Sequence, residues 1–219
     1  MLVDMEVKKF LEELASESPA PGGGSVAALA AAQAAALTGM VCNLTIGKEK
    51  YASSQDMMLA VRGRSGVLRG KLLQIVDEDT DAFNAVMAAF KMPKGSDKEK
   101  EARKKAIQEA MKKAAEVPFE VCKICNELLK LTTVVAQKGN QNSITDAGVA
   151  ALMADAALQS AALNVKINLS SIKDEKFVEE ISKKLGEIEF DAVDTVDETM
   201  QLVLAVVDPE ALEGGEEDF

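Results

Sequence analysis

Half of residues 26–41 are alanine, and apart from Gln33 and Thr38 the remainder of that run is apolar or glycine. An apolar stretch with small side chains nearly all round can be enclosed by neighbours on every side, provided that they come close. The spacing predicts a central helix from about residue 25 to 44, ending near Gly47. It is introduced by Pro19-Ala20-Pro21-Gly22-Gly23-Gly24-Ser25. Two prolines fix φ on the approach, the glycines release the backbone, and Ser25 is a good N-cap. A helix N-terminus with bare N–H donors at Gly23, Gly24 and Ser25 follows, suited to an anion or a carbonyl oxygen. The same loop also reads as a helix–helix connection whose glycines serve tight packing. Two phosphate-binding readings fail. Residues 22–27 fit G-x-G-x-x-A, but residues 10–18 have helical rather than strand periodicity, and no Gly-Lys-Ser/Thr follows the glycines.

A chain of 219 residues forms one large domain or two small ones. With only 4% aromatic residues, its interior must be built from Ala, Leu, Val, Ile and ten Met. The net charge of −11 and the lack of a long basic run argue against nucleic acid and anionic membranes as partners. There is no histidine, so nucleophile–His triads and imidazole metal sites are excluded. Acid–base work falls to Asp, Glu, Lys, Tyr or Cys. Cys122-x-x-Cys125 lies inside a helical pattern without a second pair, which makes buried reduced thiols the plain reading of the three cysteines. An odd count and a start without a signal peptide point to a reducing cytoplasm. The sixteen-residue run 26–41 is too short and too polar for a membrane span.

Val7, Phe10, Leu11 and Leu14 form one face of a first helix, with Asp4 available as its cap, that should pack on the core as a lid. After Gly47 comes Lys48-Glu49-Lys50-Tyr51, and then a helical segment, 54–90, long enough to be kinked or split at Gly63, Gly66 or Gly70. Its later half carries Leu68, Leu72, Ile75, Asp79, Phe83, Val86 and Phe90 in steps of three and four, a buried stripe with a carboxylate in it. Such a group is either a catalytic candidate or an Asp satisfied by a helix N-terminus or by Arg62 or Arg69. Asp77, Glu78 and Asp81 should face water. Ser96 to Glu99 has capping-box spacing and opens a charged outer helix over 97–113, and Pro118 starts or kinks the next segment, which ends at Gly139. A second polar loop, 139–146, contains Asn140, Asn142, Ser143 and Asp146 and opens another small-residue helix, 147–169, on which Asn164 and Asn168 share a face. Ser143 and Asp146 also read as a capping pair. The last helix, 175–207, ends at Asp208-Pro209, and the acidic residues of 208–219 read as a frayed tail. No strand alternation or internal repeat occurs, so the fold class is all-α: one domain over 1–207, a bundle of six or seven helices.

Together these stretches resemble the folate cyclodeaminase/cyclohydrolase family, which comprises formimidoyltetrahydrofolate cyclodeaminases and stand-alone methenyltetrahydrofolate cyclohydrolases. The resemblance covers about residues 5–175 and rests on the 19–25 loop, Gly47-Lys48 with Lys50-Tyr51, Asp79-x-Asp81-Ala82-Phe83, Gly139-Asn140 with Thr145-Asp146, and Asn164-Val165-x-Ile167-Asn168-Leu169. It implies an all-helical homodimer that takes a tetrahydrofolate derivative as substrate, with no metal and no tightly bound cofactor. It also implies catalytic roles for Asp79, Asp146 and Lys48, and substrate contacts from Gly23, Gly24, Ser25, Tyr51, Asn140, Asn142 and Asn164. The chain carries no transferase or nicotinamide-binding domain. The expected reaction is hydrolysis of 5,10-methenyltetrahydrofolate to 10-formyltetrahydrofolate; the alternatives are cyclodeamination of the 5-formimidoyl compound and, from another class, a non-catalytic helical scaffold.

Overall fold

Among the described residues, 1–210 of the computed structural model, six α-helices follow one another and no strand occurs. They are α1 (Val7–Leu14), α2 (Gly23–Thr45), α3 (Gln55–Phe90), α4 (Asp97–Lys138), α5 (Ile144–Leu169) and α6 (Glu175–Val207). Short 3-10 turns lie at Leu2–Asp4, Glu49–Ser54 and Gln141–Ser143. The acidic tail expected over 208–219 lies outside the described residues from 211 onward.

The alanines of α2 and α5 do what their size permits. Ala28, Ala31 and Ala34 on α2, and Ala147, Ala151 and Ala154 on α5, are wholly inaccessible to solvent. The two helices run antiparallel. Gly23 at the start of α2 packs against Asn164 near the end of α5, while Thr45 at the end of α2 accepts a hydrogen bond from the Asn140 N–H just before α5. Helix α4 lies behind this pair and contributes Leu128, Leu129, Val121 and Cys125 to the core. Buried hydroxyls join the layers without leaving lone donors: Thr38 Oγ1 is 3.1 Å from Thr132 Oγ1, and Thr133 Oγ1 is 2.7 Å from Thr199 Oγ1.

Several local expectations hold and others do not. The Ser96–Glu99 capping box is formed at α4, and Asp174 caps α6 by accepting from the Phe177 N–H. Segment 54–90 is not split; α3 continues through its glycines. Helix α4 is likewise continuous, with Pro118 inside it rather than at a start. Ser25 is not the N-cap of α2, which is Gly22, and Asp4 belongs to the first 3-10 turn while Glu6 occupies the N-cap position of α1 without a side-chain cap hydrogen bond. Phe10 anchors α1 as a lid, yet Val7 and Leu11 are exposed. Glu78 and Asp81 face water as expected, but Asp77 accepts from the Leu2 N–H and ties the N-terminal segment to α3.

Because the α2 core face has no spare volume, Ala31→Leu should destabilise the fold by about 1–3 kcal/mol. Ala102→Leu, on the exposed side of α4, should change it by less than about 0.5 kcal/mol. Denaturant midpoints at constant slope measure both.

Candidate active site

The stripe that carries Asp79 leaves the core part-way along α3. Leu68, Leu72 and Ile75 are buried, whereas Phe83 and Val86 are half-buried and Phe90 is exposed. Their side chains form one wall of a cleft of about 430 Å³. The first turn of α2 closes its deep end, and Ala114 of α4 together with Asn164, Ile167 and Asn168 of α5 forms the opposite wall. Asp79 is the sole ionisable group lining it among the described residues.

Asp79 sits directly on the start of α2. An atom at the Cβ position of Gly24 would fall inside the Asp79 carboxylate, so glycine is required for this close approach. Ser25 is buried in the third position of α2, and its hydroxyl donates both to the Val76 carbonyl, at 2.9 Å, and to Asp79 Oδ2, at 3.1 Å. Burial pushes the Asp79 carboxyl above the ordinary carboxylate range, against the Ser25 hydroxyl and main chain, which favour the ionised form. The helix N-terminus expected to receive a ligand thus holds the protein's own carboxylate. Asn164 and Asn168 face it across the cleft. Asn164 Nδ2 donates to the Ser160 carbonyl, and Asn168 Nδ2 donates to the carbonyls of Ala114 and Asn164, so both amides are orientated by main-chain acceptors.

The remaining expected site residues lie elsewhere. Lys48, Tyr51, Asn140 and Asn142 gather at the far end of the bundle, beyond α2, whose 23 residues separate the two ends by about 33 Å. Asp146, in the first turn of α5, is about 27 Å along that helix from Asn164. Both polar loops open a small-residue helix, and because those helices are antiparallel the loops end up apart. Within one chain, Lys48 and Asp146 do not reach Asp79. Much of the far cluster is structural: the Tyr51 hydroxyl donates to Asn140 Oδ1 and accepts from the Gln141 N–H, and Asn140 Nδ2 donates to the Leu44 carbonyl. The hydrogen bond from the Gln141 N–H also holds the Tyr51 phenol below its ordinary pKa. Lys48 and the Asn142 side chain are exposed. Of the apolar lining, the sequence marks Phe83, Val86 and Phe90 only as a buried stripe and Ile167 only as part of the 164–169 motif. Its signal was present in the steps of α3, but a stripe that packs inside and one that lines a cleft share a period.

A family model described as formiminotransferase-cyclodeaminase matches residues 6–187. The chain belongs to the formiminotransferase-cyclodeaminase family. Among relatives in this family, a methenyltetrahydrofolate cyclohydrolase of Methylorubrum extorquens is 49% identical over 82% of this chain and 86% of that protein. A formimidoyltransferase-cyclodeaminase of Gallus gallus is 38% identical over 83% of this chain, which spans only 34% of that protein. The solved structure of formiminotetrahydrofolate cyclodeaminase from Thermotoga maritima superposes with a TM-score of 0.86 at 30% identity, covering 94% of this chain and 100% of that one. The family thus contains short chains like this one as well as much longer proteins.

The raised pKa of Asp79 means that the native state holds this proton more tightly than the unfolded state does. Between the ordinary and the raised value, native stability therefore falls as pH rises, and at neutral pH the ionised carboxylate destabilises the fold. Asp79→Asn should raise the thermal midpoint at pH 7, with the gain fading toward about pH 4, where the carboxyl is protonated in both states. Gly24→Ala should lower the midpoint at both pH values.

Proposed function

We propose that this protein is a methenyltetrahydrofolate cyclohydrolase that converts 5,10-methenyltetrahydrofolate to 10-formyltetrahydrofolate. The observation that carries the reading is a lone, half-buried carboxylate at the end of an apolar cleft, in a chain 49% identical across most of its length to a protein of that name. The substrate's one-carbon unit lies between two nitrogens as a cationic amidinium. An ionised Asp79 complements that cation, and the cleft's aromatic and aliphatic wall suits a flat ring system with an aromatic extension.

The residues lead to a compact proton cycle. Water adds its oxygen to the amidinium carbon and passes one proton to Asp79. The bond from that carbon to N5 then breaks, N5 takes the proton back from Asp79, and the remaining hydroxyl proton leaves to solvent as the formyl C=O forms. A carboxyl whose burial raises its pKa is suited to holding a proton between the two steps. Asn164 and Asn168 supply amide oxygens to the hydrogen-bonding edge of the substrate, and Phe83 and Phe90 supply surfaces for its rings. Tyr51, Asn140 and Asn142 do not contact substrate in the same chain on this reading.

The alternative chemistry, release of ammonia from 5-formimidoyltetrahydrofolate, is favoured by the Thermotoga maritima structure, whose whole chain matches this one. Both reactions proceed through a tetrahedral centre at the same carbon. The protein acts as a homodimer, which the uncovered apolar faces of α2 and α5 support, and works in a reducing cytoplasm, which three buried free thiols support. It uses a folate as substrate and no tightly bound cofactor.

Purified protein mixed with 5,10-methenyltetrahydrofolate should accelerate loss of its near-ultraviolet absorbance, and Asp79→Asn should slow turnover by about 10²–10⁴-fold. If the same chromophore instead appears from 5-formimidoyltetrahydrofolate with ammonia released, the cyclodeaminase reading replaces this one.

A further inference from the structure

The turn between α3 and α4 and the opening of α4, residues 91–105, carry seven basic side chains against three acidic ones, in a chain whose net charge is −11. Two of the acids are already engaged. Asp97 pairs with Lys100, and Glu99 closes the capping box on Ser96. Lys91, Lys94, Lys98, Arg103 and Lys104 make no ion pair among the described residues, so this end of the α3–α4 hairpin keeps a surplus of positive charge. The segment leading into the deep end of the Asp79 cleft is opposite in sign: residues 1–22 carry five acidic and two basic side chains.

Arg103 is the member of the basic group that reaches the cleft. Its guanidinium carbon lies 5.8 Å from the centroid of the Phe90 ring, and Phe90 lines the cleft at its outer end. Arg103 Nε and Nη2 both donate to the Phe90 carbonyl, at 3.2 and 3.0 Å. That carbonyl is among the last four of α3 and has no acceptor role within the helix, so the contact caps it. A cap uses only part of a guanidinium, which has five N–H groups. Nη1 and the second Nη2 proton have no acceptor among the described residues. Stacked on a ring and pinned by a carbonyl, the group is orientated with its Nη1–Nη2 edge uncommitted. Such an edge matches the two oxygens of a carboxylate.

We propose that Arg103 recognises the amino-acid tail of the substrate, its free edge holding a glutamate carboxylate of the folate whose one-carbon unit lies at Asp79. The assignment rests on the folate reading. Helix α3 rises about 16 Å from Asp79 to Phe90, close to the span of a folate from its one-carbon unit across the aminobenzoyl ring to its carboxylates. Charge fixes the direction in which that span is laid. Asp79 is the sole ionisable group lining the cleft among the described residues, and when ionised it attracts the amidinium and repels the tail. The acidic 1–22 segment repels the tail as well. It therefore runs outward over Phe83, Val86 and Met87, an apolar track for the aminobenzoyl ring, and meets its first cation at Arg103. The unpaired lysines around Arg103 extend the positive field beyond the mouth and draw an anionic substrate toward it.

A helix cap and a carboxylate clamp predict different selectivities. The probes are 5,10-methenyltetrahydrofolate and its glutamate bis(methylamide), in which both carboxylates are neutral amides of similar length. Wild-type protein should favour the acid by about 10–100-fold in kcat/KM, the range of one hydrogen-bonded charge pair. The difference should lie in KM, because Arg103 is remote from the reacting carbon and binds ground state and transition state alike. Arg103→Gln, which can still donate to the Phe90 carbonyl, should bring that ratio close to one. Arg103→Lys keeps the charge without the planar fork and should lower the ratio part-way; it carries the test if Arg103→Gln does not fold. A wild-type ratio near one overturns the proposal. So does a ratio that survives either substitution while activity on both compounds falls together, the outcome of a cap alone. Wild-type protein inert toward both compounds, and toward 5-formimidoyltetrahydrofolate, removes the folate reading and this assignment with it. Turnover of both compounds at equal kcat/KM removes the Arg103 assignment alone.

Discussion

The antiparallel contact between α2 and α5 is the constraint on which the rest of the structure depends. Alanine at nearly every inward position lets the two backbones approach closely, and α3, α4 and α6 are then layered around that pair. Such packing gains little per residue from side-chain burial, because an alanine removes little apolar area from water. It gains from extent and from the absence of lost side-chain entropy, since alanine has no rotamers to give up. The buried threonine pairs that link α2 to α4 and α4 to α6 add register: each hydroxyl donates to a carbonyl of its own helix, and the oxygens meet across the helix boundary only when the helices are in step.

That same contact decides where chemistry can occur. The close approach at the start of α2 leaves room for one carboxylate on the Gly24 backbone, and α3 delivers Asp79 there. Two opposing influences act on this group. Desolvation disfavours its charge, while the Ser25 hydroxyl and main chain favour it, and the balance leaves a carboxyl that takes up a proton more readily than an exposed one. A scaffold protein would have no use for such a destabilised group at the end of an open cleft. Its placement fits a family that includes a methenyltetrahydrofolate cyclohydrolase and cyclodeaminases.

The sequence was most legible where a local signal acts within one or two helical turns. Helix α6 begins and ends where its apolar steps and Asp208-Pro209 place it, the Ser96 capping box formed, and the Asp79 stripe marked the one carboxylate that matters in the cleft. Less legible were features that a neighbour decides. Pro118 did not start a helix, because its missing N–H is tolerated inside a long α4 packed on both sides. Ser25 looked like a cap by residue type, but the hydroxyl has better acceptors on α3.

By itself, then, the sequence determined an all-helical chain, a central small-residue helix, and the residue types of the site, because periodicity, caps and side-chain volume are written locally. Tertiary structure alone decided which of those residues meet. Two polar loops of similar character, each opening an alanine-rich helix, belong at one site if the helices run parallel and at opposite ends if they run antiparallel. Nothing in either loop carries that sign; it arises from the path of α3 and α4, which reverses the chain between them.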